Sequence, residues 1–112
     1  LAQEISTLAE KARSGKLAPD DMRHGTITIT NIGSVGGLYA TPIINPPEVA
    51  IIGIYEIVKK PVVLNGEIVI RDMMNITATC DHRVIDGAEA ARFLKKLKAR
   101  LANPQALLLE LV

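Results

Sequence analysis

The stretch "VAIIGIYEIVKKPVVLNGEIVIRDMMNITATC" (49–80) decides how this chain folds. Val49–Val58 is a near-continuous apolar run, the pattern of a strand buried on both faces. Lys59–Leu64 leads into Asn65-Gly66, a dipeptide that favours the two left-handed positions of a tight hairpin turn. Glu67–Cys80 then returns as a second long strand, with an irregularity expected around Arg71–Met74. The result is an antiparallel hairpin at the centre of an α/β fold.

Outward from this hairpin, Thr26–Ile32 alternates Thr and Ile, which predicts a half-buried strand. Leu1–Arg13 carries Leu1, Ile5, Leu8, Ala9 and Ala12 at helical spacing, and Ser14-Gly15 ends it with a left-handed cap. Lys16–Gly25 is polar, contains Pro19 and reads as a linker or single turn, with His24 solvated within it. Asn31–Gly37 is a Gly-rich loop, and Pro42–Pro47 is an irregular connection. Gly87–Leu101 predicts an amphipathic helix with Ala90, Leu94, Leu97 and Leu101 on its apolar stripe, closed by Asn103-Pro104. The final segment, Ala106–Val112, is apolar; it either packs on its own domain or inserts into a neighbouring subunit.

A length of 112 residues fits one domain at most, and residue 1 is Leu, as expected for a piece of a longer chain. Aromatics make up only 3%, so the core must come from Ile, Val, Leu and Ala. A net charge of +1 gives no polyelectrolyte signature and argues against nucleic acid or an anionic membrane as partner. The most apolar window, Ile43–Val58, holds Asn45, two prolines and two glutamates, which excludes a membrane span. Cys80 is the only cysteine, so no intramolecular disulfide can form and a reducing compartment is the default.

Where the strand pattern gives way to the helix pattern lies "ATCDHRVIDGAEA" (78–90), which sets His82 among Asp81, Arg83 and Asp86. Asp86 with Glu89 three residues on is a capping-box pattern, so Asp86 reads first as an N-cap. His82 is half-charged close to neutral pH and, held neutral, accepts a proton from an alcohol or thiol. An anchored Asp86 then holds the turn rigid through a buried ion pair. Spacing alone stops there, because His-x-x-x-Asp is a weak pattern. A Cys80–His82 nucleophile pair competes with Cys80 as a small buried hydrophobe. A metal site would need more ligands than Cys80, His82 and the distant His24 supply. "NIGSVGG" lacks the serine-hydrolase elbow, the P-loop Lys and the dinucleotide fingerprint; its glycines are expected to let the backbone turn close to a substrate.

Three motifs in one order and spacing, "GTITITNIGSVGG" (25–37), "INPPEVAIIGI" (44–54) and "DHRVIDG" (81–87), resemble the dihydrolipoamide acyltransferase component of 2-oxo acid dehydrogenase complexes. "KLAPDDM" (16–22) and "NPQALLLEL" (103–111) fit the same family. His-x-x-x-Asp-Gly alone is shared with the wider chloramphenicol acetyltransferase-like superfamily. The resemblance implies a chloramphenicol acetyltransferase-like two-layer α/β sandwich, of which residues 1–112 are the C-terminal part only. The N-terminal part of the catalytic domain and the lipoyl and subunit-binding modules lie outside this sequence.

The activity implied is acyl transfer between a dihydrolipoyl thioester and coenzyme A, the lipoyl group being carried on a separate domain. His82 matches the family's general base. Thr30 matches the hydroxyl donor to the oxyanion, where many members carry Ser. Asp86 matches the second acidic position, which pairs with an arginine of the absent N-terminal half and orients the His82 turn. Asn31 matches a coenzyme-facing position, and Tyr55 and Ile57 fall where the family's strand lines the coenzyme channel.

The resemblance further implies a homotrimer joined into a 24-mer cube or 60-mer dodecahedron, with the apolar tail contributing to contacts between trimers. His82 and Thr30 of one chain would then serve different active sites. The other implied partners are the dehydrogenase and dihydrolipoamide dehydrogenase components, in bacterial or archaeal cytoplasm or the mitochondrial matrix. "DHRVIDG" and "NIGSVGG" look closer to acetyl or branched-chain than to succinyl types. A serine hydrolase using Ser34 and His82, and a non-catalytic scaffold segment of the complex core, are the alternatives.

Overall fold

A computed structural model describes residues 1–110. Its centre is the expected hairpin. Strands β2 (Ala50–Leu64) and β3 (Glu67–Cys80) pair antiparallel from Leu64↔Glu67 to Ala50↔Cys80. Asn65 and Gly66 turn the chain at φ 51° and 80°, the two left-handed positions that Asn-Gly tolerates. Strand β1 (Thr28–Asn31) adds to the other edge of β2, in parallel, from Thr28↔Ile51 to Asn31↔Ile54. The sheet order is β1-β2-β3.

Register breaks once. Ile54 pairs with Ile76 but Ile57 pairs with Met74, so Tyr55 and Glu56 together oppose Asn75. The irregularity expected at Arg71–Met74 therefore sits on the facing strand, as a bulge in β2. Its cause is the Gly-rich loop, which docks against β2 there. Ile32 N–H donates to Ile54 C=O at 3.2 Å, and Glu56 N–H donates to Gly37 C=O at 2.9 Å. Across the bulge, Asn75 Nδ2 donates to Leu38 C=O at 3.0 Å.

Two-sided burial of β2 holds only before the bulge. Ile51 and Ile52 point to opposite faces and are both buried, as is Tyr55. Past the bulge the hairpin is an exposed ribbon, with Ile57, Val63, Ile68 and Ile70 facing solvent. On β1 the expected polarity is reversed: Thr28 and Thr30 are half-buried, whereas Ile29 is 66% exposed. The reason is that helix α2 (Gly87–Ala102) packs along β3 and leaves the β1 side of that face open.

Helix α1 (Ala2–Arg13) ends as expected: Gly15 is left-handed, and the Gly15 and Lys16 N–H groups bond back to Ala12 and Lys11. Its apolar stripe, Leu1, Ile5 and Leu8, is exposed. Helix α3 (Pro104–Glu110) follows Asn103 and meets α2, with Leu108 and Leu109 facing solvent. Leu111 and Val112, the end of the expected docking tail, lie outside the described residues.

Surface bookkeeping shows how open this arrangement is. A compact protein of 12.1 kDa exposes about 6,000 Å², whereas this chain exposes 9257 Å². Its radius of gyration is 16.7 Å, against about 13 Å for a globule of this length. A three-stranded sheet with one helix layer on part of one face cannot bury its own apolar side chains.

Candidate active site

The turn between β3 and α2 is held by Asp81. Its N–H donates to Val49 C=O at 2.8 Å, continuing the sheet one residue past Cys80. Its C=O accepts from Val84 and Ile85 N–H, each at 3.0 Å. Its carboxylate accepts the Arg83 N–H at 3.0 Å and a forked guanidinium contact, with Nη2 at 2.6 Å and Nε at 2.9 Å. Those side-chain and then backbone hydrogen bonds from Arg83 lower the Asp81 pKa to about 2. The same carboxylate raises the Arg83 pKa.

His82 stands inside this turn and is exposed in the protomer; none of the turn's side-chain bonds involves its ring. Asp86 is the N-cap of α2, with extended backbone and a carboxylate that accepts Glu89 N–H at 2.7 Å. It too is exposed in the protomer, where its side-chain bond is that cap. The ion pair present within the turn is Asp81–Arg83.

Thr30 lies on β1 opposite Gly53, two strands away from β3. His82 lies beyond the level of Val49. Four residues along a strand and two strand spacings put their backbones on the order of 15 Å apart. The protomer thus does not bring the candidate base and hydroxyl together. Thr28, on the same face as Thr30, donates its hydroxyl to the Glu48 carboxylate. Glu48 also lies where a side chain at Gly25 would meet it, with 2.8 Å between that Cβ and Oε1. Glu48 was not legible as a structural residue, because nothing local in "PPEV" names its partner twenty residues back.

Asn31 is exposed, and its Oδ1 accepts the Gly33 N–H at 2.8 Å. Two of the glycines after it are required by packing within the protomer. A Cβ on Gly33 would sit 2.6 Å from the Tyr55 carbonyl oxygen, and one on Gly37 would strike the Ile32 side chain. Gly36 has φ 86°.

Tyr55 is a core residue. Its hydroxyl donates to Ala40 C=O at 3.0 Å and shares a 2.7 Å bond with Thr77 Oγ1. Its ring leans back over Gly53, which has no Cβ to obstruct it. Tyr55 as a whole is 2% exposed in the protomer. Ile57, just past the bulge, is exposed. Cys80 is half-buried and lines a groove of about 670 Å³ between α2 and the sheet, together with Ile27, Ile52, Ile85 and Phe93. That placement fits a small apolar side chain better than a partner for His82. Among the described residues there is no cluster of three metal-ligating side chains, and no helix long and apolar enough to cross a membrane.

Comparison with known proteins places these features. Residues 1–109 match the model of the 2-oxoacid dehydrogenases acyltransferase catalytic domain. The mitochondrial dihydrolipoyllysine-residue succinyltransferase component of the 2-oxoglutarate dehydrogenase complex of Bos taurus is 51% identical over 99% of this chain, which spans 24% of that relative. A dihydrolipoamide acetyltransferase of Azotobacter vinelandii superposes with a TM-score of 0.90 at 47% identity, covering 96% of this chain and 44% of that one. The cubic core of a pyruvate dehydrogenase multienzyme complex superposes equally well, at 46% identity over the same shares.

Succinyl and acetyl relatives thus stand within a few per cent of each other. The acetyl or branched-chain leaning drawn from the motifs is therefore not resolved by these relatives, which include succinyl, branched-chain and acetyl types. The chain spans about a quarter of the curated relative's length and under half of the solved catalytic chains. By its whole-length match in sequence and in fold, this chain belongs to the acyltransferase catalytic-domain family of the 2-oxoacid dehydrogenases.

Proposed function

We propose that this chain is the C-terminal part of a chloramphenicol acetyltransferase-like domain that moves an acyl group between a dihydrolipoyl thioester and coenzyme A. One observation carries the assignment of roles. In the Azotobacter vinelandii enzyme a serine, a histidine and an asparagine were investigated for their part in catalysis; the serine precedes the histidine by 52 positions and the asparagine follows it by four. Thr30 and Asp86 stand at those same offsets from His82.

His82 takes the proton of the coenzyme A thiol, and the thiolate attacks the thioester carbonyl. The oxyanion that forms accepts a hydrogen bond from the Thr30 hydroxyl. Collapse expels the dihydrolipoyl thiolate, which recovers the proton from the His82 imidazolium. Asp86 acts as the cap that aims the turn. Asparagine, the residue at the matching offset in that enzyme, is an equally good N-cap without charge. Asn31 and Ile57, both exposed, line the coenzyme side, next to the buried Tyr55.

The separation of Thr30 and His82 supports a site built between two copies of the domain, in a trimer. The exposed apolar surface supports an absent N-terminal part packing on the sheet, and trimers joining into a core. The cubic core among the relatives favours that assembly, with the dehydrogenase and dihydrolipoamide dehydrogenase components bound around it. The compartment is then bacterial or archaeal cytoplasm, or the mitochondrial matrix.

Thioester exchange into coenzyme A by the full-length protein tests this reading. His82→Ala is expected to lower turnover about 10²–10⁴-fold, and Thr30→Val about 10²–10³-fold. Unchanged turnover in His82→Ala removes the proposed base. A large assembly with no exchange leaves the scaffold role, which the same open surface favours.

A further inference from the structure

Asp81 and Arg83 flank His82, and their side chains close on each other. The fork of Arg83 holds both Asp81 carboxylate oxygens, and the Arg83 N–H holds one of them again. Asp81 is also tied to Val49, the residue before β2, and to Val84 and Ile85 ahead. The residue between them therefore has little backbone freedom. The Arg83 side chain is 88% exposed, and ion pairs this open add little to global stability. What a forked pair two residues apart does define is local geometry.

We infer that Asp81 and Arg83 are positioning residues, a charge-neutral clamp that fixes the His82 backbone and screens its imidazole from the Asp81 carboxylate. The inference rests on His82 being the base. A bare carboxylate beside a histidine favours the imidazolium, and a bare guanidinium disfavours it. Paired, the two cancel. The other charged groups at this turn are Asp86, spent as the cap, and Glu89 and Arg92 on α2. Glu48, one residue before Val49, is bound to the Thr28 hydroxyl.

The test is coenzyme A thioester exchange by the full-length protein, read as kcat, KM for coenzyme A and the pH profile of kcat. Asp81→Asn and Arg83→Gln are each expected to lower kcat about ten- to hundredfold, as a misplaced base does, while KM stays within about threefold. Their alkaline-rising limbs move in opposite directions: to lower pH in Asp81→Asn, where Arg83 is left unpaired, and to higher pH in Arg83→Gln, where Asp81 is. The double variant returns the limb to its original pH with kcat still low. Arg83→Lys keeps the charge but not the fork, and lowers kcat with the limb in place.

Wild-type kcat in both single variants, limbs that move the same way, or a change in KM alone overturns the clamp. If Asp81→Asn does not fold, Arg83→Gln, altered at an exposed side chain, decides by its kcat and limb. His82→Ala run alongside separates the two ideas. Retained exchange there defeats the base assignment; lost exchange with wild-type clamp variants defeats only the clamp.

Discussion

Replacing Gly33 by alanine drives the loop that follows Thr30 and Asn31 into the backbone of β2. The added Cβ would lie 2.6 Å from the Tyr55 carbonyl oxygen, 2.7 Å from its carbon and 2.9 Å from the Glu56 nitrogen. Relief needs a shift of about 0.5–0.8 Å to reach ordinary contact distance. None of the three atoms can swing away, because β2 is paired with β3 on both sides of the bulge and the Ile32–Ile54 and Gly37–Glu56 hydrogen bonds hold the loop against it. Overpacking costs about 1–3 kcal/mol, and a rigid obstacle puts this case near ~3 kcal/mol. In a domain of 150–250 residues each kcal/mol lowers Tm by about 2–4 °C, so a fall of about 6–12 °C is expected. Differential scanning calorimetry of the full-length protein measures it, with thioester exchange run on the same samples. Exchange should fall as well, since the displaced loop begins beside Thr30. Gly87→Ala is the control: nothing lies within 4 Å of its added methyl, and Tm should stay within about 2 °C. A Gly33→Ala protein melting within about 2 °C of wild type would refute the packing role given to this glycine.

Asp86 separates capping from charge. Asp86→Ala should cost about 1 kcal/mol of stability in denaturant titrations, whereas Asp86→Asn, an equal N-cap, should match the wild type in stability and retain exchange. Asp81 titrates near pH 2 in the fold against 3.8 for a free carboxylate. Its folded pKa is depressed, so the stabilisation from this pair is complete above about pH 3.8 and is lost as pH falls toward 2. Carboxyl ¹³C NMR should show that midpoint and a rise toward the ordinary value in Arg83→Gln; an unshifted wild-type midpoint would mean that the fork does not form in solution.

The hairpin was legible because its determinants are local. Asn65-Gly66 admits left-handed backbone at both turn positions, and long apolar runs on either side leave one way to pair. The same holds for Gly15 after α1 and for Asp86 before α2, where a cap is made by residues within a few positions of one another. The clamp was half legible: Asp81 and Arg83 are visible as opposite charges around His82, but that they pair with each other is a matter of turn geometry. That Tyr55 is buried was not legible, because a strand pattern gives a residue a face and says nothing of what covers it. The hydroxyl partners, Ala40 and Thr77, are fifteen and twenty-two residues distant.

The order of residues by itself determined the strands, the turn between them, the caps of the helices and the motif that places a histidine at the strand-to-helix junction. These depend on backbone sterics and on hydrogen bonds closed within a few residues. Tertiary structure alone decided how far apart Thr30 and His82 lie in one protomer, and that Gly33 receives the backbone of β2. It likewise turned Ile29 outward while holding Tyr55 inside. Each of those outcomes turns on contacts between segments remote in sequence, and on where α2 ends its cover of the sheet, which no local pattern encodes.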